Sequence, residues 1–170
     1  MTNRILYSLG RAALAALALA APAHLAAQTR TAPARTAETV LMSENARARA
    51  GQEQLGYADA VIAGDTIYLS GIVAGQRPGE TSLEPAFDRA FRQIGAILER
   101  AGAGYGDIVE MTSYHTDVVG QIEAMSAAQK RLLGSPPPAW TAVQVVRLLP
   151  EGAIAEIKVV ARRSRAAAAR

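Results

Sequence analysis

Phe87, Ala90, Phe91, Ile94, Ile97, Leu98 and Ala101 recur at the three-and-four spacing of a helix with one buried face. The pattern predicts a helix over Glu84–Ala101. Pro85 falls in its first turn, where a missing N–H does no harm, and Gly102 ends it. A second helix is predicted over Val118–Leu133, capped by Asp117 and stopped by Gly134 and Pro136–Pro138. Its expected inner face is Ile122, Met125, Ala128, Leu132 and Leu133. Around these helices lie runs of strand character. Tyr57–Ala63 and Thr66–Ser70 form a hairpin about the turn pair Gly64-Asp65. Asp107–Thr116, Thr141–Val146 and Ala153–Ala161 supply the remaining strands. Ala74–Glu80 reads as a loop from its Gly and Pro content, and Glu38–Leu55 as a loop or a short segment lying on the domain.

The resulting order is β-β-α-β-α-β-β. Two helices cannot cover both faces of such a sheet, so the expected architecture is α+β, one mixed sheet with both helices on one face. The other face keeps apolar side chains, from Val143, Val145, Ile67 and Leu69 or their alternates. A second copy of the chain is the simplest cover for it, so a symmetric homo-oligomer is expected.

Composition adds an address. Arg4 and Arg11 precede an apolar run over Ala12–Ala21 that Pro22 breaks, with small-residue cleavage sites following. Residues 1–27 therefore read as a signal peptide cut after Ala27, the run being too short to span a bilayer. The expected location is periplasmic or secreted, with no membrane attachment once the leader is removed. The absence of cysteine excludes disulfides, thiolate chemistry and lipid attachment. Residues 28–54 read as a linker and N-terminal segment, 55–163 as the domain, and 164–170 as a flexible Ala/Arg tail. The whole-chain charge of +3 conceals a division. Eight arginines lie in the two ends, which hold no acid, so residues 38–161 carry ten basic groups against all fifteen acids. An acidic domain with basic ends argues against nucleic-acid binding.

Candidate chemistry is sparse. Ser113, His115 and Asp117 alternate along one strand face, and such side chains run parallel rather than converging as a triad must. A polar strand face is the preferred reading. With one histidine beyond the leader and no cysteine, no metal site has ligand spacing, and neither a metal nor an organic cofactor is expected. Ala101–Gly106 is rich in glycine but follows a helix, so it reads as a helix-end loop rather than a phosphate cradle. Glu156 stands apart: it is a carboxylate inside an apolar strand, suited to general acid–base work. Its bland alternative is an ion pair with Lys158, two residues on along the same face.

From about Tyr57 to Arg163 the chain resembles the Rid (YjgF-type) family of reactive-intermediate imine/enamine deaminases. The resemblance rests on Thr66-Ile-Tyr-Leu-Ser70-Gly71, the helix end Ala96-Ile-Leu-Glu-Arg-Ala-Gly102, and Asp107-Ile-Val-Glu-Met-Thr112. It continues through Pro138-Ala-Trp-Thr-Ala-Val-Gln-Val-Val-Arg147-Leu148 and Ile154-Ala-Glu156-Ile157. It implies a chorismate-mutase-like fold, a homotrimer, and small-molecule sites in the clefts between subunits. It also implies a site made by Tyr57, the pair Ser70-Gly71, and Glu156 directing the hydrolytic water. The family's carboxylate-binding Arg corresponds here to Trp140, with Ala142 two residues on and Met125 near a position that is often Asn. A tryptophan cannot neutralise a carboxylate, so the expected substrate is an imine or enamine other than the usual α-imino acids. Arg147 lies an odd number of residues away, which in a regular strand turns it to the opposite face. The stretch Pro136–Ala161 is expected to form one cleft wall, with Trp140 at its mouth and Glu156 inside. The alternative is a non-catalytic small-molecule-binding trimer on the same scaffold, and a third reading is a structural or chaperone-like trimer.

Overall fold

Ala155, Ile157, Val159 and Ala161 alternate with Ile154, Glu156, Lys158 and Val160 along the last strand, and this alternation organises the sheet. In the computed structural model, which describes residues 35–163, the first set is buried and the second faces the uncovered side. The signal-peptide reading, residues 28–34 of the linker and the tail 164–170 lie outside the described residues.

The elements run β1 (Val40–Leu41), α1 (Ala46–Leu55), β2 (Ala60–Ala63), β3 (Thr66–Leu69), β4 (Ile72–Gly75) and α2 (Glu84–Arg100). They continue with a 3-10 turn (Tyr105–Asp107), β5 (Ile108–His115), α3 (Val118–Leu133), β6 (Ala139–Gln144) and β7 (Ala153–Arg162). One mixed sheet holds every strand, in the order β1-β2-β3-β7-β5-β6, with β4 also on β7. β7 is central and pairs antiparallel with β3, β4 and β5. β5 and β6 are parallel, joined by α3 as a crossover, which leaves β6 at an edge.

The α+β architecture stands as expected, with more parts: three helices and seven strands among the described residues, not two and about five. β4 falls partly where a loop was expected. It and β3 pair with successive parts of β7, and Ser70-Gly71 fills the break between them. The segment before residue 55 carries β1 and α1 and joins the sheet through β2. Apolar spacing could not reveal α1, because its one buried residue is polar. Gln52 accepts from Ser43 N–H at 2.8 Å and donates to Asp59 Oδ1 at 2.6 Å. Asn45 caps the start of α1, and Gly56 ends it in the left-handed conformation, with φ 75°.

α2 buries every residue of its predicted stripe. Asp117 caps α3 by accepting from Gly120 N–H at 3.1 Å. The inner face of α3 differs from expectation. Gln121, Met125, Ala128 and Gln129 are buried, while Ile122, Leu132 and Leu133 are half-buried. Gln121 is drawn inward by a partner in β5, described below. Of the two alternating sets expected for the open face, the one with Ile67 and Leu69 is buried in the core. Their alternates carry the open face: Val61, Tyr68, Val73 and Val160, with Val143 on β6. β6 ends at Gln144, before Val145 and Arg147, so the regular-strand reasoning about Arg147 does not extend to it.

Candidate functional site

Glu156 reaches the open face because it alternates with the buried Ala155 and Ile157. It pairs across the sheet with Val73 on β4 and Tyr114 on β5. The carboxylate is half-buried and makes no ion pair with Lys158 or with any other described residue. It lies instead over Gly71. A Cβ built on Gly71 would fall 1.8 Å from Glu156 Oε1. The strand break at Ser70-Gly71 thus supplies the space that the carboxylate occupies.

Ser70 is fixed to the segment before β2. Its hydroxyl donates to Ala58 C=O at 2.6 Å, and its N–H donates to Asp59 C=O at 2.9 Å. Asp59 in turn pairs with Arg100 of α2 at 2.9 Å. Tyr57 follows the Gly56 cap and is half exposed, at 48%. Tyr57 and Ser70 line one cleft of about 460 Å³, together with Val40, Met42, Val61 and Arg35. The expected site residues on this side fall into two pairs: Tyr57 and Ser70 line this cleft, and Glu156 lies against Gly71, the residue after Ser70. Arg35, which falls in the expected linker, lines the same cleft and carried no sequence signal.

The other three lie elsewhere. Trp140 is in register with Met111, on the helix-covered side of the sheet, and Ala142 is in register with Ser113 on that same side. Met125 is fully buried on the inner face of α3 and lines no surface of the protomer. The expected single wall presenting both Trp140 and Glu156 is thus corrected: within one protomer they face opposite sides. Strand alternation separates them, and the register that decides it is set by a long-range pairing.

Trp140 is held in place by a buried polar chain. Its indole Nε1–H donates to Ser113 Oγ at 2.9 Å, which lies 2.9 Å from His115 Nε2. His115 Nδ1 lies 3.1 Å from Gln121 Oε1. Ser113 and His115 share one face of β5, as their spacing predicts, and their side chains meet along it in a hydrogen bond. They form no hydrolytic triad. Both are fully buried, and Asp117 is spent on capping α3.

Burial holds the His115 imidazole below its ordinary value of 6.5, against a smaller opposing effect of the Gln121 hydrogen bond. The unfolded chain therefore binds the proton first as pH falls below about 6.5. Stability from this site is complete above that pH and declines below it. The thermal midpoint is expected to drop between pH 7.5 and 5.5, and to drop less in His115→Gln. Glu80, held at about 2 by Arg89, loses its contribution only below its ordinary value of 4.5, outside this window.

The family model described as endoribonuclease L-PSP matches residues 47–163. The RutC family protein YjgH of Escherichia coli (strain K12) is 38% identical over 111 residues, covering 62% of this chain and 82% of that protein. The 2-iminobutanoate/2-iminopropanoate deaminase of Capra hircus is 33% identical over 110 residues, covering 62% and 78%. A solved structure of protein YjgH superposes with TM-score 0.62 at 31% identity, over 77% of this chain and 98% of its own. A Mycobacterium tuberculosis member of the YjgF/YER057c/UK114 family gives TM-score 0.63 at 24% identity, over 73% and 98%, and bears on the fold alone.

Proposed function

This chain belongs to the YjgF/RutC-type family described as endoribonuclease L-PSP, and from that premise we propose that it is an exported hydrolase that deaminates a reactive imine or enamine other than an α-imino acid. Glu156 carries the reading. Its carboxylate has no ion-pair partner among the described residues and lies against Gly71, the residue after Ser70. A base so placed takes a proton from water as the oxygen attacks the imine carbon. It passes that proton to nitrogen to give a carbinolamine, then moves the carbinolamine's hydroxyl proton to nitrogen as the C–N bond breaks, leaving a carbonyl compound and ammonia. An enamine enters after tautomerising to its imine.

The complete site is proposed to lie between copies of the chain in a homotrimer. One protomer contributes Tyr57, Ser70, Gly71 and Glu156, and its neighbour contributes Trp140 and Ala142. The apolar open face and the placement of the two groups on opposite sides of one protomer support this arrangement. Trp140 sets the substrate class. It offers an aromatic surface to a neutral or cationic group and nothing to neutralise a carboxylate. Export to the periplasm or outside the cell is supported by the leader pattern in residues 1–27.

A second reading, a non-catalytic small-molecule-binding trimer, is favoured by the same tryptophan, because Trp140 stands at the position that corresponds to the family's carboxylate-binding Arg. One assay separates the two. 2-Iminopropionate is generated in place by an amino-acid oxidase, and keto-acid release is followed with and without the protein. The wild type is expected to give no acceleration and Trp140→Arg a measurable one. Acceleration by the wild type would overturn the proposed substrate class. Failure of both proteins, here and with neutral imines, would favour the binding module.

A further inference from the structure

The hydrogen bonds behind Trp140 have a fixed direction. At one end is an indole N–H, which can only donate. At the other is the Ile154 carbonyl, which can only accept, here from Thr116 Oγ1 at 3.1 Å. Between them, Gln121 Nε2 donates to Thr116 Oγ1 at 3.0 Å. Gln121 Oε1 also accepts from the Asp117 backbone N–H at 3.4 Å, and a backbone N–H cannot accept, so the amide orientation is determined. His115 must then carry its proton on Nδ1 and donate to Gln121. Its bare Nε2 accepts from the Ser113 hydroxyl, and Ser113 Oγ accepts from the indole.

We propose that Ser113 and His115 are positioning residues for Trp140, turning its single polar atom inward so that only carbon surface of the indole is left to face a ligand. The consequence for specificity rests on the proposed cleft between copies. A fixed indole with its N–H consumed presents no donor to a carboxylate. It presents an aromatic face to a carbon-rich or cationic group. Ser113 and His115 touch no ligand. They act through Trp140, and their polar atoms have no other role in the fold: both side chains are fully buried, and their hydrogen bonds end on one another, Gln121 and Trp140.

The chain's single tryptophan gives one indole resonance in a proton–nitrogen spectrum. In the full wild-type protein its N–H is expected to exchange slowly with solvent. In Ser113→Ala exchange is expected to speed up at least about tenfold, with a red-shifted emission maximum and stronger acrylamide quenching. An indole whose exchange and emission are unchanged in a folded Ser113→Ala overturns the proposal. If Ser113→Ala does not fold, the wild-type imidazole nitrogens decide it. The Nδ1–H tautomer of His115 supports the chain, and the Nε2–H tautomer overturns it. With a neutral imine as substrate, Ser113→Ala is expected to raise KM several-fold with kcat within about twofold. The spectroscopic arms need no turnover, so a failed activity reading and a failed positioning reading remain distinguishable.

Discussion

Glu156→Gln is expected to slow imine hydrolysis by at least about 100-fold, the usual contribution of a positioned general base. The amide keeps the shape of the side chain and removes only its basicity. Glu156 is half-buried and pairs with no described cation, so no buried partner is orphaned by the change. The thermal midpoint is therefore expected to stay within about 1–2 °C of wild type, the shift that a few tenths of a kcal/mol would produce. Ammonia release from a primary ketimine, with a melting curve on the same sample, checks both parts. Activity retained within a few-fold would remove Glu156 from the mechanism.

Gly71→Ala should reproduce much of that loss without touching the base. The added methyl would sit 1.8 Å from Oε1, 2.5 Å from the carboxyl carbon and 2.6 Å from Cγ of Glu156. Gly71 is not among the glycines with positive φ, so alanine brings no backbone strain and the carboxylate is what must move. Displacing a reacting group by about 1 Å costs on the order of 100-fold in rate. Both effects run through one carboxylate, so they should not add. Gly71→Ala in a Glu156→Gln background is expected to lose no more than Glu156→Gln alone. A further loss in the double variant would mean that Gly71 serves the ligand independently of Glu156.

The parts of this molecule that announce themselves in sequence are those built on apolar periodicity. α2 buries its whole predicted stripe because large apolar residues fill it at every turn. α3 was legible in extent but less so in orientation, since its polar Gln121 turns inward to meet His115. α1 was hidden for a related reason: a polar residue, Gln52, fastens it to the domain. β4 is too short and too rich in small residues to declare itself without its partner β7. The site divides in the same way. Tyr57, Ser70, Gly71 and Glu156 gather through local turns and one strand pairing. Trp140 and Ala142 depend on how β6 registers against β5, and no local pattern carries that information. Met125 follows the helical spacing into the core.

The most direct measurement compares two imines made in place and hydrolysed by the same wild-type protein, with Glu156→Gln as the blank. One is a neutral imine released from a primary aralkylamine by an amine oxidase, and the other is 2-iminopropionate. Glu156-dependent acceleration is expected for the neutral imine and none for the carboxylate-bearing one. Equal or faster hydrolysis of 2-iminopropionate, or acceleration that persists in Glu156→Gln, would contradict the proposed function.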